Sequence, residues 1–543
     1  MQEPGVLALV ASGTTAIASR ANTETATSRA RCGRIWASSG RTGALGGTSE
    51  GGRVGAARRY ATLAWTVNSR ELARCAPTPR ERSRERWFAA VGSRYDARDE
   101  GGRESTTGLL VRNARPYPTT DAATAGGGGL VDLLTDGERI ARVGPAGTLP
   151  AADHHVLDAD GRLLSPPLVD PHVHMDAVLT VGEPRYNESG TLIEGILTWA
   201  ERKPFLTHED VKARALEAIR WEVAQGTGLI RSHVDVCDPN LVALKALLEL
   251  RDEVRDIVDL RLIAFPQDGI LSFPNGKELM REAMRLGCDV IGGIPHYEWT
   301  RDDGVEEVHF IFDLAKETGA PIDLHCDETD DEQSRFLEVV AARTMRDGMG
   351  GRVVAGHTTA FGSYNDAYAF KLIQILKRAG VTIVANPLDN IVLQGRFDTY
   401  PKRRGMTRVK ELDAAGINVA CGHDSIMDPW YPLGRGSMLD ALSMLVHVAQ
   451  MTGRRELFRA YDMVTVNPAR AAEVEWGLKE GMPANFVVFD CADEAEAIRL
   501  RPAARWVVRL GRLVAETRPA ESVVHQAGGS FPVSFTRQEE LTA

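Results

Sequence analysis

The sequence predicts an α/β fold, a (β/α)8 TIM-like barrel with a small β-sandwich domain attached to it and a disordered N-terminal extension. Apolar strand-like runs alternate with helical patterns through the middle of the chain, which is typical of a parallel sheet covered by helices. Eight such runs are found, and they read LVDPHVHMD, GLIRSHVDV, LRLIAFPQ, VIGGIPHYE, PIDLHCDE, VVAGHTTA, VTIVANP and INVACGHDS. Eight strand–helix units of this length favour a closed barrel over residues 167–475. A doubly wound open sheet would need a Gly-rich phosphate-binding turn after its first strand, and the sequence has none there.

The helices between these strands carry recognisable start and stop signals. In LTHEDVKARALEAIRWEVAQG, Thr207 is placed to cap a helix, Asp210 to complete a capping box and Gly226 to end it. The run NLVALKALLELRDEV predicts the next helix.

Strand-like segments stand on both sides of the barrel. GLLVRNARPY and LVDLLTDGERIARVG precede it, with a hairpin turn predicted at Asp136–Gly137, and ANFVVFD and ARWVVRLGRLVAET follow it, with a turn near Gly511. We therefore expect residues 106–166 and 476–525 to build one composite β-sandwich domain, followed by a C-terminal tail over 526–543.

Residues 1–105 differ from the rest of the chain. They are rich in Ala, Arg, Gly, Ser and Thr, they have no hydrophobic period, and the first lysine of the chain is Lys203. This composition predicts a disordered or non-native extension. An organelle transit peptide is one interpretation. The other, which we favour, is an upstream start codon that adds a meaningless tail.

Composition excludes several classes of partner. The 543 residues carry a formal net charge of -10, which argues against a nucleic-acid-binding surface. No apolar run is long enough to span a bilayer. The seven cysteines include no C-x-x-C pair, and this predicts a reduced, cytoplasmic setting. The expected partner is a small molecule.

Polar residues collect at the ends of the predicted strands. His172 and His174 lie one residue apart, so their imidazoles point to the same side of a strand. The other strand-end groups are His233, Asp235, Gln267, His296, Glu298, His325, Glu328, His357, Asn386, His423 and Asp424. A barrel gathers these ends on the face where its active site is built. Three imidazoles and one carboxylate would suit Zn2+ or Fe2+ and leave a position for a water whose pKa falls near neutrality.

Several motifs resemble a known family. H-V-H after strand one, H-C-D-E after strand five, H-T-T after strand six and G-H-D after strand eight resemble the amidohydrolase superfamily. Together GTLIEGI, AFPQDGILSFPNG, HCDETDDEQSRF, NIVLQGRFDTYPKRRG and HDSIMDPWYPLG resemble the amidohydrolase type of bacterial cytosine deaminase, over about residues 107–520.

The resemblance implies an activity. It is the hydrolytic deamination of a free pyrimidine base, cytosine and/or 5-methylcytosine, to uracil or thymine plus ammonia, by metal-hydroxide attack at C4. The implied ligands of one divalent ion, Fe2+ or Zn2+, are His172, His174, His325 and Asp424. Strand four ends in IPHYE and offers no bridging lysine, which favours one ion over two. A homo-oligomer is also implied.

The resemblance also implies roles beside the metal. Glu328 would move a proton to the ring nitrogen next to the reacting carbon, and His357, aided by Asp424, would orient or deprotonate the attacking water. The implied substrate-binding residues are Gln267 at the amide-like edge of the pyrimidine, Trp430 as a wall of the pocket, Ser425 and Leu192. Other interpretations stay open: Gln267 as a loop cap, Trp430 as a packing residue, and His233 and Asp235 as supports that orient the ligands.

The chain departs from the family pattern at two positions. Ser425 stands where an aspartate is usual, and Cys421 where a bulky aromatic residue is usual. Both changes remove volume, and we hypothesise a pocket widened near ring position C5 that accepts 5-methylcytosine. The alternative is that neighbouring residues repack and cytosine stays preferred.

Other functions remain open at this stage. A related amidohydrolase could deaminate isoguanine, creatinine or a triazine, or open a cyclic amide, because the strand-end template is shared. A non-enzymatic member would lack Glu328 or a metal ligand, and the sequence keeps them all. The H-x-E formed by His296 and Glu298 also occurs in zinc-finger-like nucleobase deaminases, but the P-C-x-x-C of that class is absent.

Overall fold

The structure is a computed structural model that describes residues 108–118, 129–151 and 153–536. All of these lie in one compact unit, Gly101–Ala543. The extension predicted over residues 1–105 lies outside the described residues.

Five strands precede the barrel. They are β1 Leu109–Pro116, β2 Val131–Asp136, β3 Arg139–Pro145, β4 His155–Asp158 and β5 Leu163–Ser165. β2 and β3 are antiparallel, with Asp136 opposite Arg139. Gly137 lies between them with a φ of +55°, a conformation that glycine adopts without strain, so the hairpin turn predicted at Asp136–Gly137 is confirmed.

The next eight strands form one parallel sheet in chain order. They are β6 Leu168–Val173, β7 Thr227–Asp235, β8 Asp259–Phe265, β9 Val290–Gly293, β10 Ile322–Cys326, β11 Val353–His357, β12 Thr382–Ala385 and β13 Val419–Cys421. Every neighbouring pair is parallel. A bridge between Val173 and Asp424 brings the first and last strands together. The predicted TIM-like barrel is therefore confirmed.

Helices cover this sheet. They are α1 Leu192–Arg202, α2 His208–Ala224, α3 Val242–Glu253, α4 Gly276–Leu286, α5 Arg301–Thr318, α6 Phe336–Asp347, α7 Asp366–Ala379, α8 Pro387–Leu393, α9 Val409–Ala414, α10 Met438–Val448, α11 Arg454–Asp462, α12 Val466–Ala471 and α13 Glu494–Leu500. The Thr207 hydroxyl accepts a hydrogen bond from the Asp210 amide at the start of α2, which confirms the predicted cap. Strands and helices share one buried apolar core that includes Ile230, Leu262 and Leu324.

The last strands return to the first ones. They are β14 Phe486–Phe489, β15 Ala504–Arg509, β16 Arg512–Glu516, β17 Ser522–Gln526 and β18 Gly529–Val533. The order β16-β15-β14-β5-β1-β2-β3 joins both ends of the described chain in one sheet, and β4 also pairs with β1. This sheet has its own small apolar core, which includes Leu133, Phe486 and Trp506. The two-layer sandwich and its domain boundaries stay predictions.

Within the part of the chain that the structure describes, β17 and β18 pair only with each other, in an exposed hairpin. This hairpin crosses the predicted boundary between the composite domain (476–525) and the tail (526–543), because most of β17 lies before that boundary and β18 after it. Among the described residues, no helix combines the length and apolarity needed to cross a bilayer.

Candidate metal and substrate site

Backbone hydrogen bonds join the ends of β6 and β13. The Asp424 amide donates to the His172 carbonyl at 2.7 Å, and the His174 amide donates to the Asp424 carbonyl at 3.1 Å. Asp424 has a φ of +73°, a left-handed conformation that aspartate tolerates better than most residues. The Asp424 side chain thus lies beside the two imidazoles.

The four predicted metal ligands converge on one point. His325 Nε2 lies 3.2 Å from His172 Nε2 and 3.1 Å from His174 Nε2. Asp424 Oδ1 lies 3.7 Å and 3.5 Å from the same two nitrogens. One ligand atom from each residue lies within 4.8 Å of the others, and all four residues are buried.

These separations fit a bound metal ion. Ligand atoms held tetrahedrally at zinc-like bond lengths lie about 3.3 Å apart, close to the separations found here. Asp424 Oδ2 is buried without a hydrogen-bond partner among the described residues. The donor set of three imidazoles and one carboxylate suits a divalent transition metal.

The electrostatics of the group are also those of a ligand set. Burial, and to a lesser extent the positive charge that neighbouring imidazoles would carry, holds the pKa values of His172, His174 and His325 well below their usual range. The imidazoles are therefore neutral, which is the form that binds metals. Burial, followed by repulsion from Asp389 and Glu328, raises the pKa of Asp424 well above its usual range, and a bound cation would favour its ionised form.

His357 and Glu328 stand beside this group. His357 ends β11 with a φ of +63°, and its Nδ1 lies 3.3 Å from Glu328 Oε1 and 3.7 Å from Asp424 Oδ2. Asn390 Nδ2 lies 2.9 Å from the same His357 nitrogen, and Asn386 Nδ2 lies 3.3 Å from it. Asn386 is a predicted strand-end group. Asn390 was missed because it lies inside α8, where only the run NPLDN after strand seven marks it.

The neighbour of Glu328 holds its loop in place. The Asp327 carboxylate accepts hydrogen bonds from the Ser334 hydroxyl at 2.7 Å and from the Phe336 and Leu337 amides at 3.0 and 2.9 Å. It thereby ties the loop after β10 to the start of α6. Sequence reasoning missed this role, since nothing in the motif separates Asp327 from Glu328. Burial raises the pKa of Glu328 to about 8.

Gln267 is buried in the loop that follows β8. Glu298 clamps this loop: its Oε1 accepts from the Ile270 and Leu271 amides, both at 2.7 Å, and its Oε2 accepts from the Ser272 amide at 2.9 Å and the Ser272 hydroxyl at 2.6 Å. Glu298 therefore supports the Gln267 loop.

Trp430 packs against the metal group. Its ring is stacked with His174, with centroids 6.0 Å apart, and lies 6.4 Å from Trp199. Leu192, at the start of α1, belongs to the same small apolar cluster. Leu192 and Glu328 both line a cavity of about 440 Å³, a size that fits a small-molecule ligand. The structure thus places Leu192 in the same cavity as the predicted proton-transfer group Glu328, and Trp430 against the metal ligand His174.

The predicted supports separate into two roles. The His233 ring packs against the His172 ring, with centroids 4.0 Å apart and planes tilted by 36°, and His233 Nε2 lies 3.6 Å from Asp323 Oδ1. Asp323 in turn pairs with Arg231 at 2.9 Å, so this group backs a metal ligand. Asp235 is buried and accepts a hydrogen bond from Trp199 Nε1 at 2.9 Å, so it supports a ring that packs beside Trp430.

Three residues singled out in the sequence, His423, His296 and Cys421, do not belong to the metal group. His423 turns away from the metal group and accepts a hydrogen bond from the Gly436 amide at 3.2 Å. His296 is partly buried and lines the 440 Å³ cavity, and its ring nitrogens have no hydrogen-bond partner among the described residues. Cys421 is fully buried in the barrel core.

Ser425 forms a buried hydrogen bond with a carboxyl group from α8. Its hydroxyl donates a hydrogen bond of 2.8 Å to Asp389 Oδ2, and both residues are buried. The family pattern has an aspartate at position 425, and this chain has a serine there. The Asp389 carboxyl group lies against that serine, so a carboxyl group is still present next to position 425. Sequence reasoning missed Asp389, which α8 brings in from another part of the chain.

A closed parallel barrel with three imidazoles and a carboxylate around one point at its strand ends defines a metal-dependent hydrolase barrel. A family model described as the amidohydrolase family matches residues 155–515, and the chain belongs to that family. This confirms the family resemblance inferred from the motifs.

Three relatives show the range of the likeness. The crystal structure of 5-methylcytosine deaminase from Klebsiella pneumoniae with 5-fluorocytosine is 46% identical, with a TM-score of 0.73, and the match covers 77% of this chain and 99% of that one. N-isopropylammelide isopropyl amidohydrolase of Pseudomonas sp. (strain ADP) is 29% identical over 66% of this chain and 87% of that protein. Pterin deaminase of Rhizobium rhizogenes is 29% identical over 72% of this chain and 88% of that protein.

Proposed function

We propose that this chain is a metal-dependent hydrolytic deaminase of a free pyrimidine base, converting cytosine and/or 5-methylcytosine to uracil or thymine plus ammonia. It is a hydrolase of carbon–nitrogen bonds in cyclic amidines, as its family and its deaminase relatives indicate. The observation that carries the proposal is the placement of Glu328 and His357 beside the group of His172, His174, His325 and Asp424.

The metal would be one divalent ion, Fe2+ or Zn2+, held by His172, His174, His325 and Asp424. When bound, it would supply Lewis acidity that lowers the pKa of a water from 15.7 to about 7. Both ions suit a histidine-rich set, and availability decides between them. The segment after β9 carries His296 and no lysine that could bridge a second ion.

The surrounding side chains would handle the substrate and its protons. Burial raises the pKa of Glu328 to about 8, which favours the protonated carboxyl, and Glu328 would deliver this proton to the ring nitrogen next to the reacting carbon. His357, held by Asn386 and Asn390, would orient the attacking water. Overall, water adds at C4, the bond from C4 to the amino nitrogen breaks, and a carbonyl group and ammonia result.

Gln267 and the apolar walls would orient the ring. The Gln267 amide offers both a donor and an acceptor, which matches the N–H and carbonyl of the amide-like edge of a pyrimidine. Trp430 and Leu192 would cover the faces of the ring and exclude water. Ser425 and Cys421 are smaller than the residues usual at their positions, and the 46% identity to a 5-methylcytosine deaminase supports acceptance of the methylated base.

An ammonia-release assay tests the proposal. The full chain, reconstituted with Fe2+ or Zn2+, is given cytosine, 5-methylcytosine, isoguanine, creatinine and N-isopropylammelide, with His325→Ala as the inactive control. Release of isopropylamine instead of ammonia is measured for N-isopropylammelide. We expect the highest kcat/KM with one of the two pyrimidines. Activity confined to any of the other three would contradict the proposal.

A second candidate is a related amidohydrolase deaminase acting on isoguanine, creatinine or a triazine. The 29% identity to an isopropyl amidohydrolase of an ammelide favours it, and the same assay decides. A homo-oligomeric state, a cytoplasmic location and the division into a barrel of residues 167–475 and a domain of 106–166 plus 476–525 remain proposals from the sequence.

A further inference from the structure

A buried carboxyl group close to the candidate site has no assigned role. Asp389 lies in α8, next to Asn390, which contacts His357. Its Oδ2 accepts the Ser425 hydroxyl at 2.8 Å, and Asp389 and Ser425 are 2% and 1% exposed. This hydrogen bond uses one carboxyl oxygen and fixes the orientation of the group.

The second oxygen of the same carboxyl is unused. Asp389 Oδ1 is buried and has no hydrogen-bond partner among the described residues. Buried polar atoms are nearly always paired, and leaving one unpaired is costly. The free oxygen can therefore accept a hydrogen bond from a ligand that reaches it.

The neighbours of Asp389 indicate which part of a ligand comes near. Asp389 contacts Ser425, which directly follows the metal ligand Asp424 in the chain. Asp389 also directly precedes Asn390, whose Nδ2 lies 2.9 Å from His357 Nδ1. Under the proposed function, the reacting carbon lies between the metal ligand Asp424 and Glu328. The group on that carbon is the amino group that leaves, and it carries N–H donors.

We propose that Asp389 is a specificity-determining residue whose free oxygen accepts a hydrogen bond from the exocyclic amino group of the substrate, with Ser425 holding the carboxyl in place. This inference rests on the proposed function. A carboxyl oxygen accepts the N–H of an amino substrate but repels the carbonyl oxygen of the product. Asp389 thus favours the 4-aminopyrimidine over the 4-oxopyrimidine that replaces it.

Substrate and product binding are compared in four full-length, metal-reconstituted variants: Asp389→Asn, Ser425→Ala, the double variant, and the control Asp366→Asn, whose side chain is 96% exposed. The readouts are KM and kcat for cytosine and 5-methylcytosine, Ki for uracil and thymine, bound metal and Tm.

In Asp389→Asn we expect KM to rise about tenfold, because the asparagine amide can present an N–H where the substrate needs an acceptor oxygen, and the product Ki to fall, because the new amide N–H donates to the product carbonyl. Ser425→Ala should shift both constants in the same direction but less, and the double variant should resemble Asp389→Asn. Metal content should match the wild type, and Asp366→Asn should behave as wild type.

An active wild type with unchanged KM and product Ki in Asp389→Asn would overturn the inference while leaving the proposed function intact. If Asp389→Asn fails to fold, Ser425→Ala decides: a shift in both constants supports the inference, and no shift overturns it. A wild type that deaminates neither pyrimidine overturns the proposed function and the inference together.

Discussion

His357 Nδ1 lies 3.3 Å from Glu328 Oε1, and both side chains are buried. The same nitrogen lies 3.7 Å from Asp424 Oδ2. The candidate water-orienting group thus connects the candidate proton-transfer group to a metal ligand. Proton transfer and metal binding can therefore be separated by mutation, because Glu328 lies close to the four metal ligands but is not one of them.

Glu328→Ala and Glu328→Gln should lower kcat about 10²–10⁴-fold, the usual contribution of a positioned acid–base group. Bound metal should stay at the wild-type level, because all four ligands remain. Ammonia release and elemental analysis of the same preparation check this. Full activity in either variant would rule out the proton-transfer role.

Metal removal should abolish activity and lower thermal stability. Without a cation, the three neutral imidazoles and Asp424 leave polar atoms packed within 4.8 Å of one another. Binding of an ion at 100 times its Kd would stabilise the fold by about 2.7 kcal/mol. Chelation of the wild type, followed by calorimetry, measures the loss of Tm.

His174→Ala should reproduce that loss of Tm in the presence of metal. The matched control is His208→Ala, because the His208 side chain, at the start of α2, is 37% exposed and pairs with Glu249 of α3, far from the metal ligands in the chain. Equal Tm values for the chelated and metal-loaded wild type would contradict a structural contribution of the metal.

Glu298→Gln should weaken substrate binding more than turnover. Burial alone would raise the pKa of Glu298, but hydrogen bonds from Ser272 and from backbone amides outweigh it and lower that pKa, so an ionised carboxylate holds the Gln267 loop. A glutamine amide nitrogen cannot accept two of these hydrogen bonds, and we expect KM to rise about tenfold. Steady-state kinetics of Glu298→Gln, Gln267→Ala and the double variant check this.

If the effect of the double variant on KM differs from the combined effects of Glu298→Gln and Gln267→Ala, the two residues act together on substrate binding. A fall in kcat alone, with KM unchanged, would be evidence against the clamp.

Ser425→Asp should shift preference toward cytosine if the smaller residue makes room for the methyl group. Because Asp389 lies within hydrogen-bond distance of Ser425, the single change also sets two carboxyl groups against each other. The matched variant therefore combines Ser425→Asp with Asp389→Ser. We expect the ratio of kcat/KM for cytosine over 5-methylcytosine to rise about tenfold or more. An unchanged ratio in both variants would mean that position 425 does not select the base.

Glu494 should make stability depend on pH. Burial raises the pKa of this residue, at the start of α13, to about 7 from 4.5. The folded state therefore holds the proton more tightly than the unfolded chain. This contribution is fully present below pH 4.5 and is lost as pH rises through 7. The shift corresponds to about 3 kcal/mol.

Glu494→Gln, which cannot ionise, should therefore have a higher Tm than wild type at about pH 8.5 and a similar Tm at about pH 5. The two melting curves are compared by calorimetry at both values. A gap that does not change with pH would show that ionisation of Glu494 does not cause it.

Much of this architecture could be predicted from local patterns. The alternation of apolar strands with capped helices predicted the barrel, because both periods are properties of the local chain. Parallel strands end on the same face, so the positions of His172, His325 and His357 in the sequence were enough to place them together. The sheet formed by strands before and after the barrel has weaker signals in the sequence, and there the structure adds the pairing of β5 with β14.

The remainder depends on contacts between distant segments. His423 and Asp424 are neighbours in the sequence, yet only Asp424 joins the metal group, because its left-handed backbone and its hydrogen bonds to the end of β6 turn it inward. Asp389 and Glu298 carry no motif that assigns their partners, since these partners come from other strand ends and loops.

The sequence by itself determined which chemical groups stand at the barrel's strand ends, since strand period and residue order specify them locally. Only the tertiary structure decided which atoms of those groups meet, because loop conformation and strand closure act across hundreds of residues.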